Sequence, residues 1–390
     1  MATGSAAVAV AATRKQRGRA QASRGRTYQA RALFAAAIAL PGVLPPTALA
    51  ESAPTEGVFS LAYYNYRDWQ PGASRMSVQS PTIFMLVPVS DSLALQGSLV
   101  YDAVTGASPY FFNTLSQASI GDYRTAGDLK ITKWFGRWAV GVGGAVSSEQ
   151  DYLSRAALVD VRYSTPDNNT TYAFGVGGAY DTINSVNGVA VNEHRHSLEF
   201  MVGITQVLNA EAIVQSNLTY YTGHGYYSDP YKSLDQRPSE RRTLAWLTRY
   251  NQAFVAQDGV LQLSYRLLFN SFGDHSNMFE VAWVQGLPQG WSITPNVRYI
   301  AQHGASFYYN PPFPTGYAEG QNYTADTRLA TWGAFTVGLT ATKVFEKGWS
   351  AYAKFQYYQQ RPAWYLGGTG SPDILDFSAR WFEVGFSKTF

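Results

Sequence analysis

The chain of 390 residues is poor in charged side chains, rich in aromatic ones and free of cysteine. Charged residues make up 15% of it, against roughly 25% in ordinary soluble domains, while Tyr, Phe and Trp number 27, 21 and 10. Without cysteine there is neither a disulfide framework nor a thiolate metal site, and no cofactor is predicted. The net charge of +3 depends on the first 50 residues. The remainder is slightly acidic, so its charge gives no argument for nucleic acid or an anionic surface as a partner, and no nucleic acid is predicted.

The first 50 residues predict a secretory signal peptide. Residues 1–31 contain seven basic residues and no acidic one, and the apolar run 32–40 precedes Ala48-Leu49-Ala50. A basic stretch, a short apolar core and an A-x-A site are typical of cleavable signals, and this core is too short to span a bilayer as a helix. We expect cleavage after Ala50, which leaves residues 51–390 as the mature chain.

The mature chain alternates apolar and polar residues with a period of two, which is the pattern of β-strands. In the clearest segment, Leu261 and Leu263 fall on one side, and Gln262 and Arg266 fall on the other. Sixteen such segments are predicted, at residues 57–67, 74–87, 92–104, 122–134, 137–148, 152–164, 170–182, 194–207, 211–222, 242–254, 259–270, 277–286, 290–302, 329–345, 349–360 and 376–390. Each is long enough to cross a hydrocarbon layer as a tilted strand, whereas no stretch after residue 50 approaches the roughly 18 apolar residues of a membrane helix.

Polar rows that lie opposite apolar rows indicate a hydrated interior, because a water-soluble core has no place for rows of Gln, Asn, Arg and Lys. The predicted fold is an all-β transmembrane up-and-down antiparallel β-barrel of about 16 strands, within a range of roughly 14–18. A soluble β-sandwich or propeller could share the composition and is the alternative.

The predicted connections alternate between short and long. The short ones are built from turn-forming residues and lie at 88–91, 135–136, 165–169, 208–210, 255–258, 287–290 and 346–348. The long ones, at 105–121, 182–193, 223–241, 303–328 and 361–375, are rich in Gly, Tyr and Pro. Transmembrane barrels have short turns in the periplasm and long loops outside, so we expect an even strand count and both termini in the periplasm.

The last segment ends on an aromatic residue. Phe382, Phe386 and Phe390 fall on its apolar side, and Glu383 falls on its polar side. This ending resembles the closing strand of bacterial outer-membrane barrels, by which the barrel-assembly machinery recognises its clients. Lys388 departs from the pattern, and so close to the chain end its amine could reach the membrane interface. An ordinary C-terminal edge strand is the alternative.

Four phrases near the predicted loops, at 102–109, 149–156, 225–232 and 367–372, occur in order along the chain. Through them the chain resembles an uncharacterised family of Gram-negative outer-membrane proteins called domain of unknown function 3570. The resemblance covers essentially the whole mature chain. It implies a barrel in the bacterial cell outer membrane and implies no established activity or catalytic residues.

Ten charged residues are assigned to the inner face. They are Asp102, Asp128, Lys130, Asp160, Arg162, Arg249, Arg266, Arg298, Lys354 and Glu383. Mixed charges at this density favour a salt-bridged, hydrated lumen over a substrate-binding ladder, and strong ion selectivity does not follow from them.

All five histidines are expected at the loop-bearing end of the barrel. His194 and His196 are two residues apart on one strand and so share a face, which is how a strand offers two imidazoles to one metal ion. Asp151, Asp181 and Glu193 are the candidate oxygen donors. The spacing matches no closed metal motif, and solvated surface histidines are the alternative.

We predict a passive channel for small polar solutes in the outer membrane, with its lipid and the barrel-assembly machinery as further partners and its oligomeric state open. Any constriction would come from a folded-in loop, 105–121 or 303–328. The alternative is a non-conducting scaffold or partner of a periplasmic or surface system, possibly a redox system.

An outer-membrane hydrolase with residues at the rim is less favoured. Asp274-His275 near Ser271, or His224 with Asp229, could supply a base and its orienting acid. No nucleophile phrase such as G-x-S-x-G accompanies them. We therefore predict that the protein is not an enzyme.

Overall fold

The computed structural model describes residues 52–107, 119–232, 235–310, 318, 320–372 and 374–390. Sixteen strands run in chain order: β1 (Val58–Gln70), β2 (Ala73–Ser90), β3 (Leu93–Ala107), β4 (Ser119–Phe135), β5 (Trp138–Ser148), β6 (Tyr152–Ser164), β7 (Thr170–Ile183), β8 (Glu193–Asn209), β9 (Ala212–Gly225), β10 (Glu240–Phe254), β11 (Gly259–Asn270), β12 (His275–Leu287), β13 (Trp291–His303), β14 (Trp332–Val344), β15 (Trp349–Arg361) and β16 (Phe377–Thr389). Short 3-10 turns lie at Val255–Gln257, Pro288–Gly290, Thr327–Leu329, Glu346–Gly348 and Pro362–Trp364. None of the helical segments in the described part of the chain is long and apolar enough to cross a bilayer.

Each strand pairs antiparallel with its neighbours in the chain, and β1 pairs with β16 to close the barrel. The predicted all-β, sixteen-stranded, antiparallel barrel is confirmed. The bounds of several strands differ from the predicted ones by up to three residues; β14, for example, begins at Trp332 and not at residue 329. Residues 327–329 form a 3-10 turn instead, because the Asp326 side chain caps that turn by accepting the Arg328 backbone N–H.

The barrel has two unlike ends, here called the turn end and the loop end. Both termini of the described chain lie at the turn end, where Gly57 and Phe390 exchange backbone hydrogen bonds of 2.8 and 3.0 Å. At this end Gln289-Gly290 and Lys347-Gly348 have positive φ at both positions, as tight hairpin turns require.

The predicted alternation of short and long connections is incomplete. Three connections at the loop end are short, at residues 71–72, 149–151 and 271–274. An antiparallel hairpin can close with two residues at either end of a barrel, so up-and-down topology does not require long loops.

The two faces of the strands differ as predicted. In β16, Phe382 is 44% exposed on the outer face, while Glu383 is 5% exposed on the inner face. Lys388 lies on the outer face, where its amine is 5.5 Å from the Trp349 ring centroid and bonds to the Lys347 carbonyl at the turn end. A long apolar stem that carries its amine to the edge of the apolar band explains how Lys388 fits this strand.

Aromatic side chains gather on the outer face at both edges of the apolar band. At the turn end the Trp138 and Tyr163 rings are 4.6 Å apart, and Trp349 packs edge-on against Phe386. At the loop end Tyr180 stacks on His194 at 5.3 Å. Amphipathic rings at two levels, with apolar side chains between them, are typical of a membrane-spanning wall.

Candidate functional site: a charged interior and its loop cover

The ten charged residues assigned to the lumen all lie on the face opposite the exposed apolar row. For Asp102, Asp128 and Arg298 this follows from their outward neighbours Tyr101, Leu129 and Val297. The same alternation places the other seven inward. That these side chains select a solute stays a prediction.

On one wall of the interior, from β3 to β6, acids and bases pair across strands. The Arg124 Nε donates to Asp102 at 2.6 Å, and Asp160 pairs with Lys130 and lies 3.6 Å from the Arg162 Nε. Gly141 makes the second cluster possible, because a Cβ there would lie 2.4 Å from an Asp160 oxygen. These paired charges leave this wall close to neutral.

The middle of the wall opposite, from β10 to β13, carries three arginines and one carboxylate, while Arg241 of β10 lies nearer the loop end over the Phe272 ring. We call Arg249 (β10), Arg266 (β11) and Arg298 (β13), with Glu280 (β12), the arginine wall. Glu280 accepts hydrogen bonds from the Nε and Nη2 of Arg298, both at 2.9 Å, and one from Asn296 at 3.2 Å. In the described part of the chain Arg266 forms no ion pair, and it is exposed to the interior. The arginine wall therefore presents an excess of positive charge.

Sequence reasoning missed several inward charges. Glu280, Arg124 and Glu199 lie on the inner face, and so does Arg195, which donates to Asp181 at 2.8 Å and to the Tyr152 hydroxyl at 2.7 Å. The signal was present for Glu280, because its neighbours Phe279 and Val281 are apolar and mark the outer face. Following the alternation along the whole of each strand would have found these residues.

Lys354 and Glu383 lie directly opposite each other on β15 and β16. The Tyr352 hydroxyl donates to Glu383 at 2.5 Å. This third part of the interior is again close to neutral, so the arginine wall is the main source of net charge.

Two loops at the loop end are joined by buried ion pairs, which we call the loop knot. Its centre is Asp326, which is fully buried and receives Arg237 at 2.9 Å and Lys232 at 3.3 Å, together with Arg328. Thr324, next to this centre, donates to Asp235 at 2.5 Å. The knot ties residues 226–239 to residues 304–331.

The electrostatics of the loop knot favour the ionised carboxylate. Burial alone would raise the pKa of Asp326, but Arg328, Lys232 and Arg237 hold that pKa well below its ordinary value of 3.8. Burial lowers the pKa of Lys232, against the opposing effect of Asp326. The Asp326 carboxylate at the centre of the knot therefore stays ionised at neutral pH.

The same loops cover part of the interior with apolar side chains. Trp332, Ala334 and Ile300 point inward from β14 and β13, and Tyr308 and Ile374 from two loops pack against them. A second cluster contains Phe272, Ala305, Phe307 and Leu329. The predicted folded-in loop 303–328 thus contributes to this cover, whereas most of the other candidate, 105–121, lies outside the described residues.

The histidines lie at the loop end but on the outer wall. His194 and His196 share the face of Leu198 and Phe200, both exposed to the outside. His194 Nδ1 is 2.9 Å from the Tyr180 hydroxyl.

The predicted oxygen donors lie elsewhere. Asp181 faces inward to Arg195, and Asp151 accepts from the Tyr231 hydroxyl at 2.7 Å. No group of three or more His, Asp and Glu side chains in the described ranges is arranged to hold a metal ion. The structure does not bring the predicted ligand set together, and metal binding by His194 and His196 stays a prediction.

The residues considered for a hydrolase do not converge either. The Asp274 carboxylate accepts from Asn270 at 2.9 Å, while the His275 ring stacks on His303 at 4.8 Å. His224 has Glu240 beside it at 4.0 Å. Asp229 instead bonds Arg328 at 2.9 Å.

A family model described as "Protein of unknown function (DUF3570)" matches residues 113–195 and 188–381. The chain belongs to this family. No curated protein matches the chain. The resemblance inferred from the loop phrases is confirmed.

Similar solved structures are barrels of low sequence identity. CdiB from Acinetobacter baumannii is 9% identical with a TM-score of 0.52, and the match covers 86% of this chain and 60% of that one. A bacterial polysaccharide outer membrane secretin is 8% identical with a TM-score of 0.49, and the match covers 86% of this chain and 98% of that one. At this identity the first likeness bears on the fold alone.

Proposed function

We propose that the protein is a passive outer-membrane channel for small polar solutes, with a preference for anions. An outer wall of apolar side chains between aromatic edges supports a membrane location, and inward charges support a hydrated interior. In this proposal residues 1–50 direct export, the turn end faces the periplasm and the loop end faces outside. Transport needs no catalytic residue, because solutes diffuse down their own gradient.

The arginine wall is the observation that carries the proposal. Arg249, Arg266 and Arg298 face the interior with Glu280 as the acid among them, while charges elsewhere on the inner face are mostly paired. Arg266 is exposed to a passing anion, Arg298 is half-buried, and Arg249 is 4% exposed and would act through its charge. An exposed guanidinium group can bind a carboxylate or a phosphate with two parallel hydrogen bonds. The loop cover would limit the size of the solutes that enter.

Conductance separates a channel from a scaffold. Purified protein added to a planar lipid bilayer in KCl should give discrete current steps, because about sixteen strands enclose a lumen wide enough for water. The non-conducting scaffold is favoured by the apolar cover around Trp332 and predicts no steps. Absence of current from protein that shows a β-rich spectrum and heat-modifiable migration would overturn the channel.

The closing strand supplies the proposed assembly signal. Phe386→Ser combined with Phe390→Ser should reduce the folded, heat-modifiable protein in the membrane several-fold, because two of the three outward aromatic rings of the signal are lost. Ser387→Ala, on the inner face of the same strand, is the matched control and should leave the amount unchanged. Equal amounts of folded protein in all three would contradict the proposed role.

A further inference from the structure

Two arginines face outward on adjoining strands at the seam of the barrel. Arg67 on β1 and Arg380 on β16 are direct partners in the ladder. Arg67 shares its face with the exposed residues Leu61 and Tyr63, and Arg380 shares its face with Phe382. Both arginines therefore lie on the outer wall, on the loop-end side of the apolar band.

Like charges directly opposite in an antiparallel pair repel each other, and their Cβ atoms are only about 5 Å apart. Two other arginines on this wall have acidic neighbours: Arg361 is 3.1 Å from Asp376, and Arg242 is 3.1 Å from Glu240. Within the described ranges of the chain, neither Arg67 nor Arg380 forms an ion pair or a side-chain hydrogen bond. This pair therefore suits an anion that comes from outside the protein.

A cavity of about 240 Å³ lies at the arginine pair. Its lining residues are Asn65, Arg67, Phe355, Arg380, Trp381 and Phe382. Phe355 and Phe382 are cross-strand partners, and Phe382 lies two residues closer to the turn end than Arg380. The cavity is thus cationic toward the loop end and apolar toward the middle of the barrel wall.

Two further aromatic rings frame the site. Trp69 and Tyr357, both on the outer face, approach to 6.0 Å between ring centroids across β16. Tyr357 is the cross-strand partner of Arg380. Amphipathic rings beside cationic groups are typical of the depth at which lipid headgroups lie.

We propose that this cavity binds a phosphorylated glycolipid of the loop-end leaflet, with one phosphate between Arg67 and Arg380 and an acyl chain over Phe355 and Phe382. A phosphate satisfies both guanidinium groups at once, and the apolar floor continues in the direction that an acyl chain takes from its headgroup. With the loop end outside, as proposed above, this lipid is the lipid A part of lipopolysaccharide. The site does not depend on whether the lumen conducts.

Lipid retention tests the site. The full mature chain, purified in a non-ionic detergent, is titrated with bisphosphorylated lipid A and examined by native mass spectrometry. The R67Q/R380Q variant should bind at least about tenfold more weakly, because two charge-assisted hydrogen-bonding groups are lost. R155Q removes one arginine from the outer face of β6 and should bind as the parent does.

The lipid chemistry is tested on the parent protein. Lipid A without its phosphates should bind as weakly as bisphosphorylated lipid A binds to R67Q/R380Q. Phosphatidylglycerol that binds as tightly as lipid A would overturn the assignment to the glycolipid, and equal retention by parent and R67Q/R380Q would overturn the site.

Stability offers a second measurement on the same preparations. Without lipid, R67Q/R380Q should unfold at the parent's temperature or above it, since the change removes a like-charge contact. Lipid A should raise the unfolding temperature of the parent more than that of the variant. If R67Q/R380Q does not fold, R67K/R380K takes its place, because it keeps both charges but lacks the planar, bidentate guanidinium groups. It should bind lipid A more weakly than the parent does. Binding with the parental affinity would contradict the proposal.

Discussion

Replacing Arg249 and Arg266 by glutamine should shift the ion selectivity of the channel toward cations by about fivefold in the permeability ratio. Each charge acts on an ion roughly 8 Å away in water with about 0.5 kcal/mol, which screening at about 0.1 M salt roughly halves. The two charges together attract an anion and repel a cation by about 0.5 kcal/mol each, so removing both changes the ratio by about 1 kcal/mol. The double variant leaves the Arg298–Glu280 pair in place. Reversal potentials across a KCl gradient in a planar bilayer measure the shift.

The matched control removes two arginines from the outside of the barrel. R155Q/R242Q has the same change in net charge and should keep the parental selectivity, since Arg242 lies on the outer face and pairs with Glu240. Glu280→Gln should act in the opposite direction and increase the preference for anions. All shifts should shrink at high salt, because screening shortens the reach of each charge. If the control and R249Q/R266Q change selectivity equally, the arginine wall does not set it.

Replacing Asp326 by asparagine should open the loop cover while the barrel stays intact. Removing one partner of a buried ion pair costs about 3–5 kcal/mol, and here Arg237, Lys232 and Arg328 would lose their shared carboxylate. We expect faster trypsin cleavage within residues 226–239 and 304–331, and a larger single-channel conductance. Heat-modifiable migration should not change, because the strand ladders are untouched.

Asp376→Asn is the control for this experiment. Asp376 lies in the last loop and pairs with Arg361 at the end of β15, and both side chains are well exposed, so the loss should be at most about 1 kcal/mol. Equal cleavage rates in Asp326→Asn and Asp376→Asn would contradict a special role for the knot.

The response of the knot to pH follows from the lowered pKa of Asp326. A carboxyl whose folded pKa is depressed contributes stability that is complete above its unfolded value and is lost as the pH falls through the folded value. Since that folded value lies below 3.8, the parent's loops should resist trypsin equally from pH 5 to pH 8, when each cleavage rate is divided by that of an unstructured peptide at the same pH. A parental cleavage rate that rises at pH 5 would show that another group controls the cover.

The strands and their two faces could be predicted because the information is local. A period of two in segments such as 261–267 decides which side chains meet lipid and which meet the interior, since a strand gives its residues no other choice of side. The same rule placed the ten assigned inward charges. Where it was applied to isolated residues and not to whole strands, as around Glu280, inward charges were missed.

The histidines show that the position of a residue along the barrel does not decide which face of its strand it lies on. Their location at the loop end follows from the order of strands and loops, and the shared face of His194 and His196 follows from their spacing. Which face that is depends on the residues further along β8, where Leu198 and Phe200 are outward. Continuing the alternation back from these residues would have placed both imidazoles on the outer wall, away from Asp181.

By itself the sequence determined the barrel, its strand number to within about two and, wherever the alternation was followed along a strand, the side of the wall on which a residue lies, because the alternation is read within a few consecutive residues. Only the tertiary structure decided which charges meet. Asp326 and Arg237 are 89 positions apart in the chain. Arg67 and Arg380 become neighbours only when β1 closes on β16. Such contacts depend on strand register and loop packing, which no local pattern of residues encodes.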